Sequence, residues 1–464
     1  MDTISAIDPA HADLVTTLQQ QGVEYVFGSF VDILGRAKAK CVPVAHVPAL
    51  LAGHERYTPR GMGDLGVMTP DEDECVAMPD PAGVKVLPWD TRFAWMPADL
   101  LFGGTEPFEH CSRSILKSQL AKATEQGLIF NVGIETEIYA VKESSIGDPT
   151  GYLTPGTRTG SLKPTQAYDV EATLDAMAFL DPMVRYMNAT GFDVFSFDAE
   201  GGDGQYEFDF EYRPALQMAD SMSLFRLMVK QVAKEAGLFT TFMPKPYTGA
   251  WGSGAHFNMS LADAGTGANL FRDAEDARGR GWSKMAYGFV AGLLKHAPAL
   301  AAICTPTVNS YKRLTPRLAD GTVSWAPVWA AYGDNNRSCM VRLPRNRPAV
   351  ENRAVDSAAN AYLASAFLLA AGLDGIAAGL DPGDPVEDMT YDWTKAGPGT
   401  GDVSPTRLPR TLLEAIEAFA EDPLTHDVFP ANFVSTYVDM KVQEWDEYHA
   451  QVTDWERSKY LELF

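Results

Sequence analysis

Apolar and polar positions along the chain fall into two successive patterns. An amphipathic helix is expected over Ala10–Gln21. Tyr25–Val44 then alternates with a period of two around a turn at Leu34-Gly35-Arg36. A second strand-rich stretch, Glu74–Val86, is broken by Pro79-Asp80-Pro81, and Gly103-Gly104 punctuates Leu101–Glu109. The period then lengthens, and Ser112–Glu125 reads as a helix. This change places a domain boundary near residue 108, giving domains 1–108 and 109–464. In the second part, strand-like segments (Ile129–Val141, Asp193–Phe197, Gln205–Tyr212, His256–Leu261, Cys339–Leu343) alternate with helical ones (Val170–Ala189, Ser221–Glu235, Trp282–Ala297, Asn360–Ala378). The apolar run Ala361–Leu373 stops at Asp374, too short for a bilayer and suited to a buried helix.

Composition narrows the class. The 464 residues carry a formal charge of −23, which repels nucleic acid and anionic membrane. Five cysteines (Cys41, Cys75, Cys111, Cys304, Cys339) form no CxxC pair and read as reduced thiols. The start, MDTISAIDPA, has no basic-then-apolar signal, so a cytoplasmic enzyme is expected. Gly61-Met-Gly-Asp-Leu-Gly66 fits GxGxxG, but neither an apolar strand before it nor a helix after it supports a dinucleotide site.

The informative residues are acids. Glu135-Thr136-Glu137 lies in an otherwise apolar strand, so both carboxylates share a face. A solvated strand face would look the same, yet two like charges side by side are costly without a cation. Glu200 and Glu207 flank the turn Gly201-Gly-Asp-Gly204, where a hairpin with incidental acids is the plain alternative. His256, Asn258 and Ser260 share another strand face, and Glu351-Asn-Arg353 pairs an acid with a guanidinium. Five glutamates and one histidine form a hard-oxygen set that suits Mg²⁺ or Mn²⁺ better than zinc.

Together with Thr241-Phe-Met-Pro-Lys-Pro246, Gly252-Ser-Gly-Ala-His256, Asn309-Ser-Tyr-Lys-Arg313, Asn335-Asn-Arg337, Val341-Arg342-Leu-Pro344 and Asp356-Ser-Ala-Ala-Asn360, this order of segments resembles the glutamine synthetase family from about Gly22 onward. The resemblance implies an α+β fold: a small N-terminal β-grasp-like domain, then a large catalytic domain with a curved antiparallel sheet and flanking helices. It implies ATP as substrate with two or three Mg or Mn ions. Glu137, Glu200 and Glu207 would hold one ion, and Glu135, His256 and Glu351 another.

By the same resemblance, Gly252, His256, Arg313 and Arg353 meet glutamate, and Asn258, Ser260, Arg337 and Arg342 meet ATP. Asp32 completes a neighbouring subunit's site and accepts a proton. The assembly implied is a dodecamer of two hexameric rings with active sites between subunits. The chemistry implied is activation of glutamate's γ-carboxylate as γ-glutamyl phosphate, then attack by an amine.

Departures bear on the amine. Ala319 stands where ammonia-using members carry a flap glutamate, with the shorter Asp320 beside it. Trp251 replaces a polar residue of the glutamate loop, and Trp325 and Trp329 follow. An apolar amine pocket and plain core tryptophans both fit. These departures resemble the γ-glutamylamide synthetase branch; ammonia-using glutamine synthetase and an inactive structural homologue are the alternatives. Tyr391 falls near the family's adenylylated tyrosine but in different surroundings, which favours a structural role.

Overall fold

A computed structural model describes residues 9–58, 73–142, 167–397 and 399–464; the GxGxxG stretch Gly61–Gly66 lies outside them. The first part is a seven-stranded sheet: β1 (Tyr25–Val31), β2 (Ala37–Pro43), β3 (Arg56–Tyr57), β4 (Cys75–Pro79), β5 (Lys85–Val86), β6 (Phe93–Phe102) and β7 (Glu106–Pro107). Its order is β2-β1-β6-β4-β3, with β5 and β7 also on β6. Strands β1 and β6 run parallel and the other pairs antiparallel. Helices α1 (Pro9–Gln20) and α2 (Val47–Leu51) supply Leu18, Val47, Leu50 and Leu51 to its core beside Val26, Val42, Ala94 and Met96.

Helix α3 (Ser112–Glu125) leads into β8 (Leu128–Lys142), the spine of a nine-stranded sheet. Strands β9 (Val194–Ala199), β10 (Gln205–Phe210), β11 (Arg213–Pro214), β12 (Leu238–Thr241) and β13 (Ala255–Asp263) join it. After the small strand β14 (Trp329–Ala330), β15 (Tyr332–Asp334), β16 (Val341–Leu343) and β17 (Val350–Asn352) extend the order to β15-β16-β17-β13-β8-β10-β9. All pairs are antiparallel except β15 with β16.

Alternation along these strands decides what each face carries. Phe130, Val132, Ile134, Ile138 and Ala140 of β8, with Phe257, Met259 and Leu261 of β13 and Phe208 of β10, belong to the main core. The intervening residues are left for the opposite face.

Helices cover the apolar face: α4 (Val170–Asp175), α5 (Met177–Ala189), α6 (Ala215–Glu235), α7 (Lys284–Lys295), α8 (Ala297–Cys304), α9 (Ser310–Arg313) and α10 (Ala361–Ala377). The run Ala361–Leu373 is indeed buried within α10. Asn360 caps α10, its side-chain oxygen accepting from the backbone N–H groups of Tyr362 and Leu363. Its amide donates to the Asp32 carbonyl at 3.0 Å and the Ser112 hydroxyl at 2.9 Å, which ties the N-terminal hairpin turn to α3 and α10.

Several elements differ from the sequence reading. Val170–Ala189 is two helices broken at Ala176, and α6 begins six residues before Ser221. Trp282–Ala297 becomes α7, and the chain then bends by 77° into α8, where Pro298 starts the new helix. The C-terminal helices α11 (Leu412–Glu421), α12 (Pro423–Val428), α13 (Ala431–His449) and α14 (Asp454–Tyr460), like strands β14, β15 and β17, went unread. No single helix among the described residues is long and apolar enough to cross a membrane. The five cysteines are free.

Candidate active site

The polar face of the large sheet collects the acids through strand register. Glu137 on β8 lies opposite Glu207 on β10, which lies opposite Asp198 on β9. Two residues earlier on β8, Glu135 lies opposite His256 on β13. Asn258, two further along β13, faces Glu351 on β17, which faces Arg342 on β16. Opposed residues and residues two apart share a face, so one diagonal stripe crosses six strands. Ligand atoms of Glu135, Glu207 and His256 lie within 4.8 Å of one another. Nδ1 of His256 is 3.4 Å from Glu135 and 3.9 Å from Glu351, and its Nε2 is 3.9 Å from Glu137.

The stripe has two electrostatic halves. On the β17 side, arginines offset the acids. Arg342 and Arg353 each pair with Glu351 at 2.7 Å, and Arg347 pairs with Glu135 at 2.6 Å while donating to Asn258 at 3.0 Å. Burial alone would raise the Glu351 carboxyl, but Arg353, His256, Arg342 and Arg347 hold it down, to about 2. Burial likewise opposes ionisation of Glu135, and its hydrogen bond to His256 and the charges of His256 and Arg347 bring it below the usual range.

The β10 side has the opposite balance. Burial raises Glu207 well above the ordinary value, and the charges of Glu137, Glu135, Asp209 and Glu200 raise it further. Burial and Glu200 raise Glu137, and burial and Asp198 raise Glu200. Asp209 is pushed to about 7 by burial and the Glu135 charge, and Asp198 to about 6 by burial and Glu137. A buried carboxylate group short of positive charge, with ligand atoms already converging, fits a hard divalent cation.

Glycines let the Gly252–Gly254 loop pass beneath this cluster. A Cβ on Gly254 would stand 2.7 Å from Arg313 Nη2, 2.8 Å from His256 Nε2 and 3.2 Å from Glu137 Oε1. Its N–H donates to Glu137 at 2.8 Å. Gly252 packs as closely on the Arg313 side chain. Buried Arg313 donates to the carbonyls of Ala354 and Arg353, with Glu137 and Asp356 the charges nearest to balancing it.

The comparisons with known proteins agree with this geometry. Residues 109–460 match the family model described as glutamine synthetase, catalytic domain. The chain belongs to the glutamine synthetase family. A glutamate–methylamine ligase of Methyloversatilis universalis is 37% identical over 452 residues, covering 96% of this chain and 98% of that protein. A glutamine synthetase of Rhizobium meliloti is 34% identical, covering 97% and 99%. The solved GmaS–ADP complex superposes with a TM-score of 0.87 at 34% identity, covering 97% and 99%; ligand-free GmaS gives 0.84 at 33%. The chain is therefore a carbon–nitrogen ligase of α+β fold.

Within this family member, Glu135, Glu137, Glu207, His256, Asn258, Arg342, Glu351 and Arg353 come to one face, with Glu200 beside Glu137. The three atoms at ligand spacing draw on both expected ion sets rather than on one. Ser260 is on the same face of β13, and Arg337 is exposed close enough to Arg342 to oppose its charge.

Asp32, expected to complete a neighbouring subunit's site, lies in the turn between β1 and β2. It is 2% exposed, and its carboxylate accepts from the N–H groups of Leu34 and Arg36 at 3.1 and 2.8 Å and pairs with the Arg36 side chain at 3.0 Å.

Ala319 and Asp320 lie at the exposed tip of a turn, where Asp320 accepts from Thr322 N–H at 2.9 Å. Trp329 and Tyr391 are core residues packed with Val328, Ala331 and Cys339. Burial lifts the Tyr391 phenol to about 12 against the pull of Arg353 and Arg313.

Sequence reasoning missed Asp198, Asp209, Gln205 and Arg347. The first two repeat the x-acid-x-acid alternation of Glu135-Thr136-Glu137, in Asp198-Ala-Glu200 and Glu207-Phe-Asp209, and were legible on that signal. Gln205 orients Glu137 through a 2.9 Å bond and also donates to the Gly252 carbonyl. Arg347 carries no local signal: it reaches Glu135 across 212 positions of sequence.

Proposed function

We propose that the protein condenses the γ-carboxylate of glutamate with a small primary amine at the expense of ATP, releasing ADP and phosphate. The observation that carries the amine over ammonia is the flap. Between Leu314 and Val328 the only carboxylate is Asp320, and it caps its own exposed turn, leaving no flap acid to hold an ammonium ion.

In this reading Glu137, Glu200 and Glu207 hold one divalent ion, Mg²⁺ or Mn²⁺, and Glu135, His256 and Glu351 a second. Such ions, when bound, offset charge on the phosphates and the γ-carboxylate. Arg313 and Arg353, set beside the Gly252–Gly254 loop, receive the glutamate carboxylates. Arg337 and Arg342, with Asn258 and Ser260 behind them, receive the ATP phosphates; their mutual repulsion without a ligand favours an anion. The carboxylate oxygen attacks the terminal phosphorus, the bond to the β–γ bridging oxygen breaks, and ADP leaves, giving γ-glutamyl phosphate. The amine nitrogen then attacks the acyl carbon, phosphate leaves, and the nitrogen sheds its proton toward the acidic face. We further infer a domain division near residue 108, a cytoplasmic location where glutamate and ATP are abundant, and a homo-oligomer, a dodecamer by the resemblance stated above.

The test is phosphate release from ATP with Mg²⁺ and glutamate, comparing methylamine, isopropylamine, ethanolamine, aniline, a polyamine and ammonia. Release driven by one organic amine far above ammonia is the expected result. Release with ammonia alone returns the enzyme to glutamine synthesis.

A further inference from the structure

Two tryptophans remain outside the chemistry described. Trp251 begins the loop that passes under His256, and Trp325 follows the flap turn; their ring centroids are 6.4 Å apart at 38°. Trp251 lies on the Glu200–Gly201 turn, so closely that a Cβ on Gly201 would come within 2.6 Å of its ring. Its carbonyl is held by the Tyr139 hydroxyl at 2.6 Å. The Trp325 carbonyl accepts from Arg353 at 3.3 Å, and the charge of Arg353 acts on Glu200. These contacts close a circuit, Trp325–Trp251–Glu200–Arg353, around one corner of the acidic face.

Trp325 is placed there against local preference. It is 43% exposed and adopts φ +60°, a backbone state bulky residues avoid and that persists where the surroundings impose it. An exposed indole in a left-handed conformation beside a glutamate-binding arginine calls for a role.

We propose that the Trp251–Trp325 pair forms the amine-recognition wall of the active site and selects small primary alkylamines. This inference rests on the ligase reading above. A protonated alkylamine presents a charge and a hydrocarbon group together. Indole faces attract the first, and their apolar area takes the second, while Glu200 lies at the edge of the wall. With centroids 6.4 Å apart and planes tilted by 38°, the rings leave no room for an aromatic amine to stack between them, so the wall offers its outer faces to a short hydrocarbon group. Ammonia gains nothing from the hydrocarbon-covering surface.

Trp325→Gly tests the wall with little backbone cost, because glycine favours positive φ. In phosphate-release assays the KM for methylamine should rise about tenfold while those for ATP and glutamate stay within about twofold. Trp325→Phe should recover most of the loss. An active Trp325→Gly enzyme with unchanged methylamine KM overturns the proposal. Should that variant fail to fold, Trp325→Leu takes the same measurement, and an unchanged KM there overturns it equally. A wild-type preference for aniline over methylamine also overturns it. If no organic amine stimulates the wild type above ammonia, the ligase reading itself fails, an outcome distinct from a wild type that uses methylamine but is indifferent to Trp325.

Discussion

Gly254 shows how narrowly individual residues are specified. Its φ is not in the left-handed region, so alanine is allowed by the backbone; the obstacle is that Arg313 and His256 fill the space a Cβ would take. Gly254→Ala should therefore leave the fold intact and lower kcat/KM by at least about tenfold, near 1.4 kcal/mol, by displacing both side chains. Circular dichroism with steady-state kinetics checks it, and full activity would mean the loop yields. Residue identity also explains what was legible. Acids interrupting apolar alternation stand out in a sequence, whereas Arg347 and Gln205 act on Glu135 and Glu137 from loci with no pattern of their own.

At the scale of elements, α7 and α10 approach through glycines. Gly288 and Gly292 of one meet Gly375, Ile376 and the Ala371 carbonyl of the other, and a Cβ on Gly292 would overlap that carbonyl oxygen. Gly292→Val should destabilise by about 1–3 kcal/mol or more through overpacking, seen as a lower thermal midpoint.

The 77° bend between α7 and α8 is secured by His296, whose ring nitrogens meet Asp422 at 2.7 Å and Asp374 at 3.0 Å. Burial disfavours its charge, but the hydrogen bonds and charges of Asp422 and Asp374 outweigh burial and raise its pKa above 6.5. A raised folded-state pKa stabilises below the unfolded value and is lost as pH climbs through the folded one. The wild type should thus lose more thermal stability between about pH 6 and pH 8.5 than His296→Gln does. Parallel slopes for the two proteins would show that His296 titration contributes nothing to stability across this range.

At the scale of the whole molecule, a chain of charge −23 gathers Glu137, Glu200, Glu207, Asp198 and Asp209 on one half of a sheet face with few cations beside them. Divalent ions should bind the folded state and raise its melting temperature, by the equivalent of roughly 2.7 kcal/mol at a hundredfold excess over Kd. Glu207→Gln should shrink that increment, and EDTA should abolish turnover. A melting temperature indifferent to Mg²⁺ and Mn²⁺ would contradict the cation site.

The sequence by itself determined the faces of the main strands. Period-two alternation is a property of the backbone, so β8 and β13 had to turn Glu135, Glu137, His256 and Asn258 away from the core wherever they paired. The order of motifs likewise carried the family. Only the tertiary structure decided which acids meet. The register that sets Glu207 opposite Glu137, and Glu351 opposite Asn258, joins strands up to about a hundred residues apart, and it is fixed by packing of the buried face rather than by anything local. For the same reason only the folded chain brings Trp325 beside Arg353 and Trp251.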